Sequence, residues 1–300
     1  MIKFYLDSDL ITNKFNFKEI TMNEKDYNFP NTGIHKYVAE YIRTLPDMSG
    51  KTVLDIPCGD GRSSYEFMKK GANVIALDLF PEFMLIDDIT AQYADLSEKL
   101  PIEDNSVDYI MCQEGIEHIP DQMNVFEEFN RVLKKDGILL MTTPNYSHMR
   151  ARLSHLLLET DLWKRMPPTE IDTIWFAENN KDKLYFGHLF LVGVQHLQSL
   201  VTFTGFKVTN RIKTDKGNTS ILLGILSYPF LLLFTMLSYF SYRKKNTQID
   251  QETRRDILWK RVKLNLSPTT LFYKHIFWEM KKANSLDETI NKLREMQRKK

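Results

Sequence analysis

Mainly apolar runs, separated by stretches with helical spacing, make up the middle of the chain. Four such runs lie at residues 53–56, 73–77, 107–112 and 138–143. Runs of this length without polar alternation predict strands that are buried on both faces, as in a parallel sheet. The intervening stretches Ser63 to Lys70 and Asp121 to Leu133 predict helices that end near Gly71 and Gly137. This alternation predicts a βαβ architecture.

The flanking sequence predicts further elements. Thr32 can cap a helix that runs to about Thr44 and ends before Pro46, with apolar residues on one face. Residues 1–30 have no period and are expected to form a cap or an arm. Short strands are also predicted at 95–96 (the end of a third strand region), 206–212 and 271–280.

The C-terminal stretch predicts an amphipathic helix. Ser285 and Glu288 have the spacing of a capping box. One stripe of the predicted helix is apolar and consists of Leu286, Ile290, Leu293 and Met296. We expect this stripe to pack on the domain.

Composition limits the class of protein. A chain of 300 residues with 43% hydrophobic and 26% charged residues suffices for one substantial α/β domain with appendages. The net charge of +1 provides no overall field that would favour nucleic acid as a partner. The two cysteines, Cys58 and Cys112, exclude a disulfide framework and fit a reducing compartment. The N-terminal MIKFYLDSDL has early charges and no signal-peptide core, so secretion by that route is not expected.

The stretch Thr52 to Arg62, TVLDIPCGDGR, carries the first candidate chemistry. Two glycines in its turn let backbone amides face a ligand, and Asp55 lies at the strand tip. Asp78 follows the next strand about twenty residues later, a spacing that suits a ligand with ribose hydroxyls. A strand-end aspartate can equally cap the next turn, so both interpretations of Asp78 are open. Ser64 stands where a dinucleotide motif has its third glycine, which disfavours NAD without excluding it.

Five separated segments form a set with a known order. They are VLDIPCGDGR, VIALDLF, Ala94-Asp95-Leu96, DYIMCQEGIEHI and LKKDGILLMTTPN, and they span about Lys51 to Asn145. In this order they resemble the first four motifs and the fifth-strand lead-in of class I S-adenosylmethionine-dependent methyltransferases, near the type 11 and prenyl-quinone O-methyltransferase groups. A weaker similarity extends over Gly187 to Val208. The resemblance implies a Rossmann-like, doubly wound α/β sheet of seven strands, mostly parallel with an antiparallel last strand.

The resemblance also implies which residues would bind S-adenosylmethionine. The implied set is Asp55, Pro57, Gly59, Gly61, Asp78, Leu79, Asp95, Leu96, Cys112 and Gln113. Within this set, the first-motif residues would hold the methionine part, Asp78 the ribose, and Asp95 with Leu96 the adenine. Pro57 departs from the family pattern, which usually has glycine there, and it removes an amide and fixes φ.

Candidates for acid-base chemistry and for metal binding follow the fourth strand. His118 and His188 are the candidate bases if the acceptor is a hydroxyl, although either can be a hydrogen-bonded structural residue. Glu114, Glu117 and His118 resemble the segment of prenyl-quinone O-methyltransferases that holds a divalent ion. The same pattern occurs in relatives without a metal role, where it begins a helix. We therefore assign no metal ligands and leave a divalent ion as the alternative.

The most apolar stretch, Ile221 to Tyr242, has no charge over 22 residues, about the length that crosses a bilayer. In the implied fold the strands on either side of it belong to one sheet, so a single crossing would separate them. Pro229 could kink it into a hairpin or a pair of shallow interfacial helices. Basic residues that follow favour the cytoplasmic side. We predict peripheral or monotopic membrane attachment; the alternative is a helix buried at a domain or dimer contact.

The expected organisation has four parts. They are an N-terminal helical cap (1–45), a methyltransferase core (46–215) with a lid insertion (146–186), an apolar and basic membrane-associating insertion (216–265), and the last strand with a C-terminal helix (266–300). Aromatic and basic residues in the insertion, among them Trp175 and Tyr185, suit a helical lid over an anionic or lipid-linked acceptor. An ordinary packed helical cap is the alternative.

The expected function is O-methylation, at the cytoplasmic side of a membrane, of a membrane-held acceptor. Such an acceptor would be a prenylated quinone or a lipid-linked or cell-surface glycan. Two other classes are open: a non-catalytic scaffold or regulatory protein that keeps the cofactor pocket, and an NAD-linked enzyme on a similar sheet. No nucleic acid partner is expected.

Overall fold

A computed structural model describes residues 27, 29, 32–160, 166–171, 173–177, 180–245 and 249–298. The strands within them are β1 (Thr52–Asp55), β2 (Asn73–Asp78), β3 (Gln92–Tyr93), β4 (Val107–Gln113), β5 (Leu133–Pro144), β6 (Ile174–Ala177), β7 (Asn180–Phe186), β8 (Phe206–Arg211) and β9 (His275–Lys282). The helices are α1 (Gly33–Thr44), α2 (Arg62–Lys69), α3 (Gln122–Val132), α4 (Met149–Leu158), α5 (Val194–Phe203), α6 (Asn218–Arg243), α7 (Gln251–Asn265), α8 (Pro268–Phe272) and α9 (Leu286–Arg298). Most of the predicted arm at 1–30 lies outside the described residues.

Seven strands form one sheet in the order β3-β2-β1-β4-β5-β9-β8. Strand β9 is antiparallel to both of its neighbours, and the other pairs are parallel. The predicted Rossmann-like sheet of seven strands with an antiparallel last strand is therefore confirmed. Because β1, β2, β4, β5 and β8 point the same way, their C-terminal ends meet at one edge, here called the carboxyl edge. Strand β9 begins at that edge.

Apolar layers cover both faces of the sheet, as predicted from the mainly apolar runs of the central strands. On one face Val38 of α1 and Phe67 of α2 pack against Met111 and Phe277 of the strands. On the other face Phe126 and other side chains of α3 and α5 form the larger layer. The central strands are thus shielded from water on both sides, and polar groups gather only at the strand ends.

Two predicted caps had different outcomes. The capping box is confirmed, because Ser285 N donates to Glu288 Oε2 at 2.9 Å and Glu288 N donates to Ser285 Oγ at 3.3 Å. Of the predicted apolar stripe, Leu286, Leu293 and Met296 are half-buried whereas Ile290 is 48% exposed, so the stripe is only partly buried. Thr32 precedes α1, but its hydroxyl makes no capping bond to the described part of the helix.

The predicted lid insertion contains more than a helix. Helix α4 is present, and β6 and β7 add an antiparallel hairpin that the sequence pattern did not predict. Two strand limits also differ from expectation. Strand β3 ends at Tyr93, so Asp95 lies just beyond it. Strand β9 begins at His275 and not at Leu271, because the short helix α8, capped by Ser267, includes residues up to Phe272.

The apolar segment forms one continuous helix, α6, so the prediction that Pro229 would turn it into a hairpin or helix pair is wrong. Proline removes one N–H, but the hydrogen bonds on either side hold a helix of 26 residues together. The chain returns through α7, which packs antiparallel on α6. Asn265 Nδ2 donates to Thr235 Oγ1 at 2.9 Å, and the Trp259 ring meets the Tyr239 ring at 5.7 Å. The insertion therefore leaves the carboxyl edge after β8 and returns to it at β9.

Candidate active site

The acids predicted to bind a cofactor meet at the carboxyl edge. Asp55 ends β1, Asp78 ends β2, and Asp95 lies two residues past β3. Gln113 ends β4 beside them. In open α/β sheets ligands bind just outside these strand ends, so the edge is the candidate site.

The turn after β1 is shaped by glycines with positive φ and by one proline. Gly59 has φ 52° and Gly61 has φ 86°, and a Cβ on Gly61 would lie 2.8 Å from Cγ1 of Ile86. Helix α2 starts directly after Gly61, so its N-terminus lies at the candidate site, where Arg62 N donates to Asp60 Oδ1 at 3.3 Å. A Cβ on Gly115 would lie 2.6 Å from the ring of Pro57. Glycine at position 115 therefore leaves the space that the Pro57 ring fills. Pro57 thus has a packing role.

Asp78 joins the turn to the end of β2. The buried carboxylate accepts Gly59 N at Oδ2 and Phe80 N at Oδ1, both at 2.8 Å. Burial raises the pKa of Asp78, although these backbone amides oppose the rise. The capping interpretation is confirmed, and it does not compete with ribose binding, because each carboxylate oxygen has a second acceptor position. Leu79 is half-buried beside it.

Asp55 lies beneath the turn and is fully buried. Its Oδ2 accepts the Ser64 hydroxyl at 2.6 Å, whereas its Oδ1 has no hydrogen-bond partner among the described residues. Burial raises the pKa of Asp55 to about 7, and hydrogen bonds from Ser64 oppose the rise. Ser64, which replaces the third glycine of a dinucleotide motif, therefore ties α2 to β1.

We expect Asp55→Asn to change how stability depends on pH. Between the unfolded pKa of about 4 and the folded pKa of about 7, the folded protein keeps a proton that the unfolded chain has lost. This contribution is complete below about pH 4 and is lost as the pH rises to about 7, by on the order of 2–4 kcal/mol. Asparagine does not titrate, so in urea titrations the variant should gain stability relative to the wild type between pH 5 and pH 8. Equal pH slopes for the two proteins would contradict the raised pKa.

Asp95 is buried at the edge under the hairpin of β6 and β7. Its Oδ1 accepts Ser97 N at 2.8 Å and Ser97 Oγ at 2.6 Å, and its Oδ2 pairs with Lys183 Nζ at 2.8 Å. Burial alone would raise the pKa of Asp95, but Lys183 and Ser97 hold it below its usual range. Lys183 also pairs with Glu98 at 2.7 Å, and Leu96 is buried next to Asp95. The hairpin is thus fastened to the acid that is predicted to contact adenine.

Aromatic rings surround the same end of the site. Trp175 of β6 stacks on Tyr185 of β7 at 4.8 Å and lies 5.2 Å from Phe80. Such a cluster beside Asp78 suits a flat base. Sequence reasoning did not single out Phe80 or Lys183. The sequence showed only that Phe80 lies just after the strand-end acid Asp78 and that Lys183 lies in the insertion.

Two residues of the predicted cofactor set point elsewhere. The Cys112 side chain is fully buried in the core, where burial raises its thiol pKa well above the ordinary value. The Gln113 side chain accepts Ser63 Oγ at 3.0 Å and lies 2.6 Å from His35 Nδ1 of α1. The structure therefore uses Gln113 to join α1, α2 and β4.

The acids after β4 form a second polar cluster. Glu114 lies 3.8 Å from His275, and burial raises its pKa to about 7. Glu117 accepts Thr143 Oγ1 at 3.0 Å, and burial together with Glu114 raises its pKa well above the ordinary value. Burial thus disfavours the ionised form of both acids.

His118 and His188 face each other beside this cluster, with ring centroids 4.9 Å apart. His118 Nδ1 donates to the carbonyl oxygen of Phe186 at 2.9 Å, so Nε2 of the neutral ring is the acceptor. Burial lowers the pKa of His118, which keeps the ring neutral near pH 7. His188 is exposed. The two predicted bases are thus brought together.

The same residues fit a divalent ion. Ligand atoms of Glu117, His118 and His188 lie within 4.8 Å of one another, and the buried Oε1 of Glu117 has no hydrogen-bond partner among the described residues. Mixed imidazole and carboxylate donors suit several divalent metals. The grouping differs from the predicted one, because His188 takes the place of Glu114, which faces His275 instead.

Part of the core is similar to known proteins. Residues 54–141 match the family model of the methyltransferase domain. A ubiquinone biosynthesis O-methyltransferase of Xanthomonas oryzae pv. oryzae is 33% identical over 115 residues, which cover 35% of this chain and 48% of that protein. The protein of the same name from Actinobacillus pleuropneumoniae is 33% identical over 112 residues, with 32% and 47% covered. The chain spans about half the length of these curated relatives.

The solved structure of an S-adenosylmethionine-dependent methyltransferase from Mesorhizobium loti also matches this chain. The identity is 15% and the TM-score 0.45, and the match covers 81% of this chain and 96% of that one. The matched residues 54–141 contain the strand-end acids Asp55, Asp78 and Asp95, so the core of this chain is similar to a methyltransferase domain at the predicted cofactor site.

Proposed function

We propose that the protein transfers the methyl group of S-adenosylmethionine to an oxygen atom of an acceptor held at the cytoplasmic side of a membrane. A prenylated quinone and a lipid-linked or cell-surface glycan are the acceptor classes considered. The printed names of the curated relatives support O-methylation. The observation that carries the membrane part is the position of α6, because the insertion that contains it rises from the carboxyl edge beside the site.

Helix α6 has its polar face turned inward and its apolar face outward. One stripe at helical spacing is buried or half-buried, and it consists mostly of small or polar residues: Ser220, Gly224, Ser227, Leu231, Thr235 and Tyr239. A Cβ on Gly224 would lie 2.4 Å from the Phe272 ring, so α6 and α8 are in close contact. The large apolar side chains that are more than half exposed are Leu222, Ile225, Leu226, Phe230, Leu233, Phe234, Leu237, Phe240 and Tyr242. An exposed apolar surface of this extent favours lipid contact.

The packing of α6 favours an orientation in the plane of the membrane. Among the described residues α6 alone is long and apolar enough to span a bilayer. Its inward stripe contacts the body of the protein, and the antiparallel α7 beside it carries Arg254, Arg255 and Lys260. A crossing helix would draw these charges into hydrocarbon, whereas an interfacial helix leaves them at anionic head groups.

The proposed reaction asks little of the protein chemically. S-adenosylmethionine supplies a methyl group that its sulfonium already makes electrophilic, so the site must mainly align the acceptor and exclude water. The acceptor oxygen forms a bond to the methyl carbon while the carbon–sulfur bond breaks, and the hydroxyl proton must leave. Nε2 of His118 is the available acceptor for that proton. If a divalent ion is held by Glu117, His118 and His188, it would polarise the acceptor oxygen.

Replacing His118 with asparagine is expected to lower kcat about a hundredfold with little change in KM for S-adenosylmethionine. Because burial lowers the His118 pKa, the wild-type rate should fall only at pH values below about 6.5. The measurement is a pH profile of methyl transfer, with His196→Asn, on α5, as the matched control. Loss of wild-type activity with a chelator and recovery with Mn²⁺ would make His118 a metal ligand instead.

The two competing classes are separated by calorimetric titration with S-adenosylmethionine, S-adenosylhomocysteine and NAD. The proposed function predicts tight S-adenosylhomocysteine binding. Binding without turnover on any membrane extract would favour the scaffold. Preferential NAD binding would exclude both the methyltransferase and the scaffold.

A further inference from the structure

A cavity of about 430 Å³ lies between α4 and α6. Its described lining consists of Arg150 and Leu153 of α4 and Thr219 and Leu223 of α6. The helices are held together at this end, since Arg150 N donates to Ser220 Oγ at 3.2 Å. The lining is mainly apolar, with one cationic side chain.

Arg150 is exposed, and among the described residues no group compensates its positive charge. Within the described ranges its guanidinium makes neither a hydrogen bond nor an ion pair; only its backbone N–H is bonded. The neighbouring Arg152, by contrast, donates to Ser147 O at 2.7 Å and to Asn265 Oδ1 at 2.9 Å, and so braces α4 against α7. A cation at an apolar cavity favours an anionic group there.

A series of neighbouring residues links the cavity to the polar cluster after β4. Arg150 is six residues past the end of β5, at most about 20 Å along the chain. His148, which caps α4, lies with its Nδ1 3.0 Å from Ser220 Oγ, and it interacts electrostatically with both Arg150 and His275. His275 in turn faces Glu114 at the tip of β4. These contacts connect the cavity to the strand ends.

The cavity is also continuous with the apolar surface of the protein. One turn beyond Leu153, α4 ends in exposed leucines, with Leu156 80% and Leu157 57% exposed. On α6 the neighbours of Leu223 are Leu222 and Leu226, which are 59% and 66% exposed. A hydrocarbon chain can therefore leave the cavity towards lipid without crossing a polar surface.

We propose that this cavity binds the hydrocarbon chain of the acceptor and that Arg150 contacts a phosphate group between that chain and the methylated part. This inference rests on the proposed function. It names the substrate class as a phosphate-bearing lipid, and a prenylated quinone without an anionic group would not use Arg150.

The test measures binding of three probes to the full chain in non-ionic detergent: farnesyl phosphate, farnesol and inorganic phosphate. Farnesyl phosphate should bind at least about tenfold more tightly than farnesol, because a charge-assisted contact is added. Arg150→Gln should abolish that difference, and Arg150→Lys should restore part of it. Leu223→Trp should weaken both chain-bearing probes by filling the cavity. Arg294→Gln, on the exposed face of α9, is the matched control and should change nothing.

Equal affinities of wild-type protein for farnesyl phosphate and farnesol would overturn the inference. So would inorganic phosphate binding as tightly as farnesyl phosphate, or displacement of farnesyl phosphate by an equal concentration of phosphatidylglycerol, which would assign the cavity to bulk lipid. Titration with S-adenosylhomocysteine on the same samples separates the two proposals. Retained binding there with failure of the probes rejects the cavity assignment alone, whereas loss of both rejects the proposed function.

Discussion

Asp78→Ala is expected to weaken the binding of S-adenosylhomocysteine about a thousandfold. The change removes both carboxylate oxygens that a ribose diol would use, and it leaves the amides of Gly59 and Phe80 without their acceptor. Hydrogen bonds to a charged group are worth roughly 1.5–3 kcal/mol each, so two of them correspond to about three orders of magnitude. The affinity is measured by isothermal titration calorimetry.

Two variants control for general damage to the turn. Asp78→Asn keeps an acceptor oxygen for one amide and should bind with intermediate affinity. Asp88→Ala removes an exposed acid of the following segment and should bind as the wild type does. If Asp78→Ala has an unchanged Tm and binds within tenfold of the wild type, Asp78 does not hold the ribose.

The triple change Leu226→Glu, Phe230→Glu and Phe234→Glu is expected to move the protein from lipid vesicles into the aqueous phase. These side chains lie four residues apart on one face of α6 and are 66%, 63% and 63% exposed, so glutamate can be accommodated without disturbing the core. Burying each in lipid is worth about 2 kcal/mol, so the partition coefficient should fall by about four orders of magnitude. Flotation with vesicles that contain anionic phospholipid measures it.

The matched control is Ile290→Glu on α9, a change of equal chemistry at a side chain that is 48% exposed. It should leave vesicle binding unchanged. Should the wild type remain in the aqueous phase, the membrane proposal fails. Should the triple variant instead convert a dimer into a monomer, α6 is a dimer contact.

Much of the core could be predicted because local patterns determine it. Strands β1, β2, β4 and β5 each contain a mainly apolar run, and the parallel sheet that they form brings the residues at their C-terminal ends to one edge. The sequence alone therefore predicts that Asp55, Asp78 and Asp95 lie close together. Their partners could not all be foreseen, since Ser64, for example, contacts Asp55 only when α2 packs on β1.

The remaining features depend on contacts between distant segments. The hairpin of β6 and β7 has no strong alternation, yet it supplies Lys183 to Asp95 and aromatic rings to the same end of the site. Pro57 departs from the family pattern, and the local sequence does not explain why. Its ring fits because Gly115, far along the chain, has no side chain to occupy the same space. The local chemistry of Pro229 predicts a break in the helix. Helix α6 is nevertheless continuous and packs against α7 and α8.

Transfer of tritiated methyl from S-adenosylmethionine to membrane components is the most direct measurement of the proposed activity. Membranes are incubated with wild-type protein or with Asp78→Ala and then extracted with organic solvent. The expected result is label in the lipid extract with the wild type and at least about a hundredfold less with the variant. Wild-type protein that binds S-adenosylhomocysteine tightly but labels no membrane component would contradict the proposal that this domain methylates a membrane-held acceptor.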